Sequence, residues 1–379
     1  MGLNNRKNQI LKAVVDDYIG TAEPVGSKSL VSKYNFNVSP ATIRNEMAEL
    51  EELGYLEQPH TSAGRIPSDK GYRAYVDHLL QVDELPRAEA DKIRNYLRDN
   101  MDEVTQLIRK AATVLSEKTD YTSLVLSPQY KRSHLKQIKM LMIEPGKALV
   151  VVVLSAGVVK DRLVRIPEIL DAVQLMQIAS AIEDGLSGMT LDDITLVTVA
   201  AAARQTPLPE SLLNQVMYEA YLSIKQADHL DIYLDGSHRM LAQPEFQDVR
   251  KAHDFLETLN RDKLIAGYMS ELKESDDLSS IEEEKDENKD ETKLQKKSND
   301  PAYMVRIGQE ILLDGLQDCS FITTSYKIGD TVAGRIGVIG PRRMEYGKVI
   351  SHINFVKMTV NDQIIRLANG ETRMEEQNK

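Results

Sequence analysis

The chain has 379 residues, 42% of them hydrophobic and 28% charged, an ordinary globular composition with length enough for two or three cored domains. Its longest apolar runs, such as "ALVVVVL" (148–154), fall far short of the roughly 20 residues that a bilayer requires, which excludes a membrane-spanning helix. The net charge of −11 is uneven: residues 271–300 hold twelve acids against six bases, whereas residues 1–80 hold ten against nine, so the balance neither supports nor excludes a nucleic-acid partner.

The N-terminus lacks an uninterrupted apolar stretch, because Lys12, Asp16 and Asp17 break it, so no signal peptide is expected. Ile10, Leu11, Val14, Val15, Tyr18 and Ile19 recur instead at helical spacing, and Gly20 marks the stop. After "EPVG", Ser27 is the expected cap of a short helix, "KSLVSKY". The best-delimited element follows. In "SPATIRNEMAELEELG" Ser39 suits the N-cap, Pro40 the first helical position and Gly54 the C-terminal stop.

With Ile43, Met47 and Leu50 facing inward, this third helix presents Ala41, Thr42, Arg44, Asn45 and Ala48 outward. These side chains are small or hydrogen-bonding. They suit base edges, with arginine on guanine, asparagine on adenine, and threonine or alanine against the thymine methyl. A solvated amphipathic helix is the plain alternative for such a segment in isolation. The context argues against it, because two helices precede and two short strands, "YLEQ" and "RIPS", follow. That order is the layout of a winged helix-turn-helix over residues 1–85.

Between the strands lies "QPHTSAGRIPS" (58–68), which admits three chemistries. A nucleophile at Ser62 would need a histidine and an orienting acid in reach, and His60, two residues away in a tight hairpin, makes no triad. A phosphate loop would need a glycine spacing and a Lys–Ser/Thr pair that are missing. A wing fits the composition: His60, Thr61, Ser62 and Arg65 at a short tip can grip phosphates or enter the minor groove. Ser39, Lys28 and Arg73 join these as candidate DNA contacts. Ser68 caps a further helix, "DKGYRAYVDHLL".

Residues 86–118 read as a connecting helix with Ile93, Leu97, Val104, Leu107, Ile108 and Leu115 as its seam. Strand candidates follow in "SLVLS", "KQIKMLMI", "ALVVVVLS" and "VVKDRLVRI", the middle two joined by "EPGK". A helix-rich middle gives way to the charged 273–300 stretch, expected to be disordered like the tail 367–379. "MVRIG", "CSFITTSYKI", "TVAGRIGVIG" and "KVISHINFV" then read as strands. Strands on both sides of the helical middle point to an α+β domain, 119–170 with 301–366, interrupted by an insertion at 171–272. "GRIGVIGPRRMEYG" carries Gly334, Gly337 and Gly340 at a spacing unlike the dinucleotide fingerprint, and reads as a strand ending in a Gly-Pro turn. Arg342 and Arg343 could face solvent or a partner subunit. Seven histidines and the single Cys319 form no zinc pattern, and one cysteine suits a reducing, cytoplasmic compartment.

"VVDDYIGTAEPVGSKSL", "VSPATIRNEMAELEELGYLEQPHTSAGRIPSDKGYRAYVD" and, far downstream, "GVIGPRRMEYGKVI" resemble the heat-inducible transcription repressor family HrcA. Ser68 stands where that family usually has threonine, which keeps the cap hydroxyl, and the acidic stretch 273–300 looks like an expanded loop. The resemblance implies a multidomain α+β homodimer: a winged helix-turn-helix, a GAF-like domain, and an inserted dimerisation domain at 171–272. It also implies an inverted-repeat operator ahead of chaperone operons, and activity maintained by the GroEL-type chaperonin and lost on heat stress. No cofactor or metal is expected. A winged-helix regulator controlled by a small ligand in the GAF-like domain, and a nucleotide-handling enzyme, are the rival readings; no catalytic constellation supports the latter.

Overall fold

The computed structural model of the chain describes residues 3–61, 63–98, 104–128, 130, 133–155, 158–227, 231–271, 303–328 and 331–369. Ser62, the acidic stretch 273–300 and most of the expected disordered tail therefore lie outside the described residues.

Helix α1 (Asn5–Thr21) starts where the Asn4 side chain accepts the Lys7 amide, and it ends with Ala22 in the left-handed region, its N–H on the Tyr18 carbonyl. Helix α2 (Ser27–Lys33) is capped differently from expectation: Gly26 takes the N-cap with no side-chain bond, and Ser27 is buried in the first turn. In α3 (Pro40–Glu52) the Ser39 hydroxyl accepts the Thr42 amide and Pro40 opens the first turn, as the sequence predicts. Ile43, Met47 and Leu50 are buried against Leu11, Val14, Val15 and Leu30. Strands β1 (Leu56–Glu57) and β2 (Ile66–Pro67) pair antiparallel. Beyond them α4 (Asp69–Ala74), capped by Ser68, runs into a π-helical turn over Tyr75–Leu79.

Two glycines set the close packing of this unit. A Cβ at Gly71 of α4 would stand 2.1 Å from the Tyr55 carbonyl oxygen, and one at Gly64 would stand 2.4 Å from that of Val25. Only a residue without Cβ lets the backbones approach so closely.

The expected connector is two helices, α5 (Arg87–Arg98) and α6 (Val104–Thr119), and both pack on the C-terminal helix rather than standing alone. The chain then divides between two cores. Strands β3 (Thr122–Leu126), β4 (Leu135–Glu144), β5 (Lys147–Leu154) and β6 (Val159–Arg165) come first. Helices α7 (Ala172–Leu186), α8 (Leu196–Ala203) and α9 (Glu210–Gln226) follow, then β7 (Ile232–Asp235), the short α10 (Ser237–Met240), α11 (Val249–Leu259) and α12 (Asp262–Glu271). The last elements are β8 (Met304–Ile307), β9 (Cys319–Ile328), β10 (Thr331–Pro341) and α13 (Tyr346–Asn369).

The larger core surrounds an antiparallel sheet of order β7-β3-β10-β9-β8, and every residue of β3 is buried. Helices α6 and α13 pack on the sheet, and Tyr268 of α12 stacks on Phe321 of β9 with ring centroids 6.2 Å apart. The glycines of β10 serve packing: a Cβ at Gly334 would collide with the Tyr326 ring, whose hydroxyl donates to the Leu126 carbonyl at 2.7 Å. A strand ending in a Gly-Pro turn is thus what "GRIGVIGP" forms.

The second core joins the meander β4-β5-β6 to α7, α8 and α9. Its division differs from the expected one. Strands β4 to β6 bury Ile138, Val150, Val152 and Val164 against the helical middle, whereas β7, α11 and α12 belong to the larger core. The cores therefore part near residues 130 and 230, not at 171 and 272. "KVISHINFV" is a second correction, being helix and not strand. In the helix it belongs to, the buried residues Val349, Ile353, Val356, Val360 and Ile364 recur every three or four positions, and this period outweighs the β-branched composition.

Candidate nucleic-acid interface

Helix α3 and the β1–β2 hairpin enclose a cavity of about 390 Å³ lined by Gly26, Ser27, Arg44, Gln58, Thr61, Gly64 and Arg65 among others. Three short connections hold its walls. Val25 and Arg65 exchange backbone hydrogen bonds at 2.9 and 2.8 Å, fastening the hairpin to the turn before α2. The Gln58 amide donates to the Thr61 and Ala63 carbonyls at 3.0 and 3.1 Å, bracing the tip. The Arg65 Nε donates to Glu51 at 2.8 Å, tying hairpin to helix.

Two acids of α3 are paired on its other flank. Glu46, nearly buried, takes Arg6 at 2.8 Å through Nε, and Lys7 reaches Glu49 at 2.7 Å. The hydrogen bond to Glu49 is the main cause that holds the Lys7 ammonium above its ordinary pKa. By contrast, Arg44 and Lys28 are exposed, and neither forms an ion pair among the described residues. Two cations with no ion-pair partner among the described residues thus stand beside the hairpin, although the segment as a whole is nearly neutral.

Of the expected site residues, Ser39, Thr42, Arg44 and Asn45 lie together on α3, with Arg44 and Asn45 exposed and Thr42 half-buried. The Ser39 hydroxyl is 3.0 Å from that of Thr42, so cap and first turn are already bonded to each other. Lys28 stands on the first turn of α2, and His60 and Thr61 are exposed at the hairpin tip. Arg65 is half-buried against Glu51 and not extended from the tip. Arg73, expected beside these as a phosphate contact, points the other way. Its guanidinium donates to Glu310 at 3.0 Å and the Val305 carbonyl at 2.6 Å, both on the side of the larger core, and to Asp77 one turn on at 3.1 Å. A guanidinium so occupied has no donor pair left for a phosphate. Gln58 was not foreseen. A polar residue at the end of an expected strand, beside an expected tip, was the available signal.

The family model described as HrcA protein C terminal domain matches residues 105–350. A heat-inducible transcription repressor HrcA of Ruminiclostridium cellulolyticum is 41% identical over 368 residues, covering 97% of this chain and 99% of that one. The repressor of the same description from Acetivibrio thermocellus is 38% identical over 367 residues, covering 97% and 98%. A crystal structure of a hypothetical protein at 2.2 Å resolution shares the fold, with a TM-score of 0.62 at 19% identity over 97% of this chain and all of that one. The N-terminal unit, outside the span of the family model, lies within the alignment to both repressors. These likenesses make the chain a transcriptional regulator. It belongs to the HrcA family of heat-inducible transcription repressors.

Proposed function

We propose that the chain is a negative regulator of heat-shock operons that binds an inverted-repeat operator as a homodimer. In this reading α1 to α4 with the hairpin form a winged helix-turn-helix. Helix α3 enters the major groove, and Thr42, Arg44 and Asn45 meet base edges. Lys28, Ser39 and the wing residues His60, Thr61, Ser62 and Arg65 meet phosphates or the minor groove. The observation that carries it is the exposed side of α3: Arg44 and Asn45 face solvent beside the hairpin, and Arg44 has no internal ion-pair partner among the described residues. An arginine held out with no acceptor of its own is prepared for guanine.

The larger core, a five-stranded antiparallel sheet between helices, supports the GAF-like assignment. The outer face of β4-β5-β6 supports the dimer. Leu141, Leu149 and Leu163 align across the three strands, and Val153 pairs with Val159 four residues along the same face. Leu141 and Leu163 are 54% and 61% exposed, on a sheet face that a second copy would cover. Control by a GroEL-type chaperonin, with loss of repression on heating, rests on family membership, as does the cytoplasmic setting. No helix among the described residues is long and apolar enough to cross a membrane.

Arg44→Ala and Asn45→Ala are each expected to weaken binding to the cognate operator by about 1–3 kcal/mol and to leave random-sequence binding nearly unchanged. Titration of both duplexes by fluorescence anisotropy distinguishes the outcomes. Equal losses on the two sequences would remove α3 from the role of reader.

A further inference from the structure

The N-terminal unit leaves the rest of the molecule through residues 80–86, which have no regular secondary structure. Such a link alone would act as a tether. The unit shares a continuous apolar core with the sheet, and it is also held by polar side chains that come from far along the chain, among them the pair Arg342 and Arg343 in the turn between β10 and α13.

Arg342 donates to Asp69, the first residue of α4, at 2.9 Å and to Asp318, just before β9, at 3.3 Å. Asp69 also accepts the Gln309 amide at 3.2 Å, and Asp318 takes Lys251 of α11 at 2.6 Å. Arg343 reaches the opposite side of the unit. It donates there to the Ile19 carbonyl in the last turn of α1 at 3.3 Å, and is itself held by Glu245 at 2.6 Å and Gln243 at 3.0 Å in the segment between α10 and α11. Its side chain is only 12% exposed. The third attachment is Arg73, at the end of α4, on Glu310. Between them Tyr346 is buried, with the Tyr72 and Tyr75 rings 6.0 and 6.4 Å away.

Three attachments, at the end of α1 and at both ends of α4, fix the orientation of a rigid body. They are charge-assisted and directional, which apolar contact alone is not. A two-fold repressor has a strong need for such orientation, because half-sites one helical turn apart must meet two recognition helices at matching separation.

Resting on the DNA-binding reading above, we infer that Arg342 and Arg343 are positioning residues for operator recognition: they clamp the N-terminal unit so that the dimer accepts one half-site spacing. Neither touches DNA. They act by setting where α3 stands.

The test uses the full-length protein and duplexes carrying the inverted repeat with its centre lengthened or shortened by up to about five base pairs, half a helical turn. A single half-site and a scrambled duplex complete the set. The unsubstituted protein is expected to show one optimum, with affinity falling about tenfold or more at half a turn. In Arg342→Gln/Arg343→Gln the optimum is expected to flatten to within about threefold, with half-site affinity and dimer mass unchanged. Asp69→Asn and Glu245→Gln, which keep the shape of each carboxylate, report the same flattening should the double variant unfold at the assay temperature. An unaltered spacing profile in folded variants overturns the inference. So does a uniform loss that includes the half-site, since that marks a merely structural role. Failure of the unsubstituted protein to prefer the repeat over the scrambled duplex overturns the DNA-binding reading itself.

Discussion

Leu163→Asp is expected to turn the proposed dimer into a monomer and to lower affinity for an inverted repeat by about 10²–10⁴-fold, the usual worth of a second linked site. Leu163 ends the row Leu141–Leu149–Leu163 on the edge strand β6, and its side chain is 61% exposed in the single chain. The substitution therefore costs the monomer little, within roughly 1 kcal/mol. In a two-fold interface the same patch contributes from both copies, so one substitution places two carboxylates against the leucine row and desolvates both. Sedimentation and operator titration on the same preparation read both effects. A variant that stays dimeric with full affinity would show that the meander face does not form the interface.

Gly71→Ala is the second large effect, this time on stability. The added methyl would stand 2.1 Å from the Tyr55 oxygen, with the Leu11 side chain 3.6 Å away. Relief requires α4 to move from the start of β1, to which it is bound twice. The Ser68 amide donates to the Tyr55 carbonyl at 3.1 Å, and the Ser68 hydroxyl donates to the Gly54 carbonyl at 2.6 Å. Overpacking of a site this rigid is expected to destabilise by about 3 kcal/mol, the upper end of the usual range. Gly20→Ala is the control. It lies in α1 with nothing within 4 Å of a new Cβ, and alanine there should stabilise by up to about 1 kcal/mol. Chemical denaturation of both variants checks the contrast, and equal small effects would contradict the close packing of α4 on β1.

The N-terminal unit was legible because its signals are local. Ser39, Pro40 and the Ile43–Met47–Leu50 stripe delimit α3 within a dozen residues, and the hairpin announces itself by its turn composition. Arg73 was misassigned because its partners, Val305 and Glu310, lie more than 230 residues away, and nothing nearby shows that a guanidinium is already occupied. The same separation hid the roles of Arg342 and Arg343. The partition of strands was obscure for a related reason. Alternation in β4 to β6 reveals that one face is buried, but not which helices bury it. In α13, Val349, Ile350 and Ile353 lent a strand-like composition to a segment whose buried period is helical. Local chemistry thus identified the candidate reading helix, while tertiary pairing decided which charges remain available to it.

In the proposed function α3 and the hairpin read an inverted repeat ahead of chaperone operons. Quantitative footprinting of the promoter regions of the source genome's chaperonin genes tests it most directly, with the purified chain alone, with GroEL-type chaperonin, and after mild heating. Protection of one inverted repeat is expected, strengthened by the chaperonin and weakened by heat. Absence of any protected inverted repeat under all three conditions would contradict it.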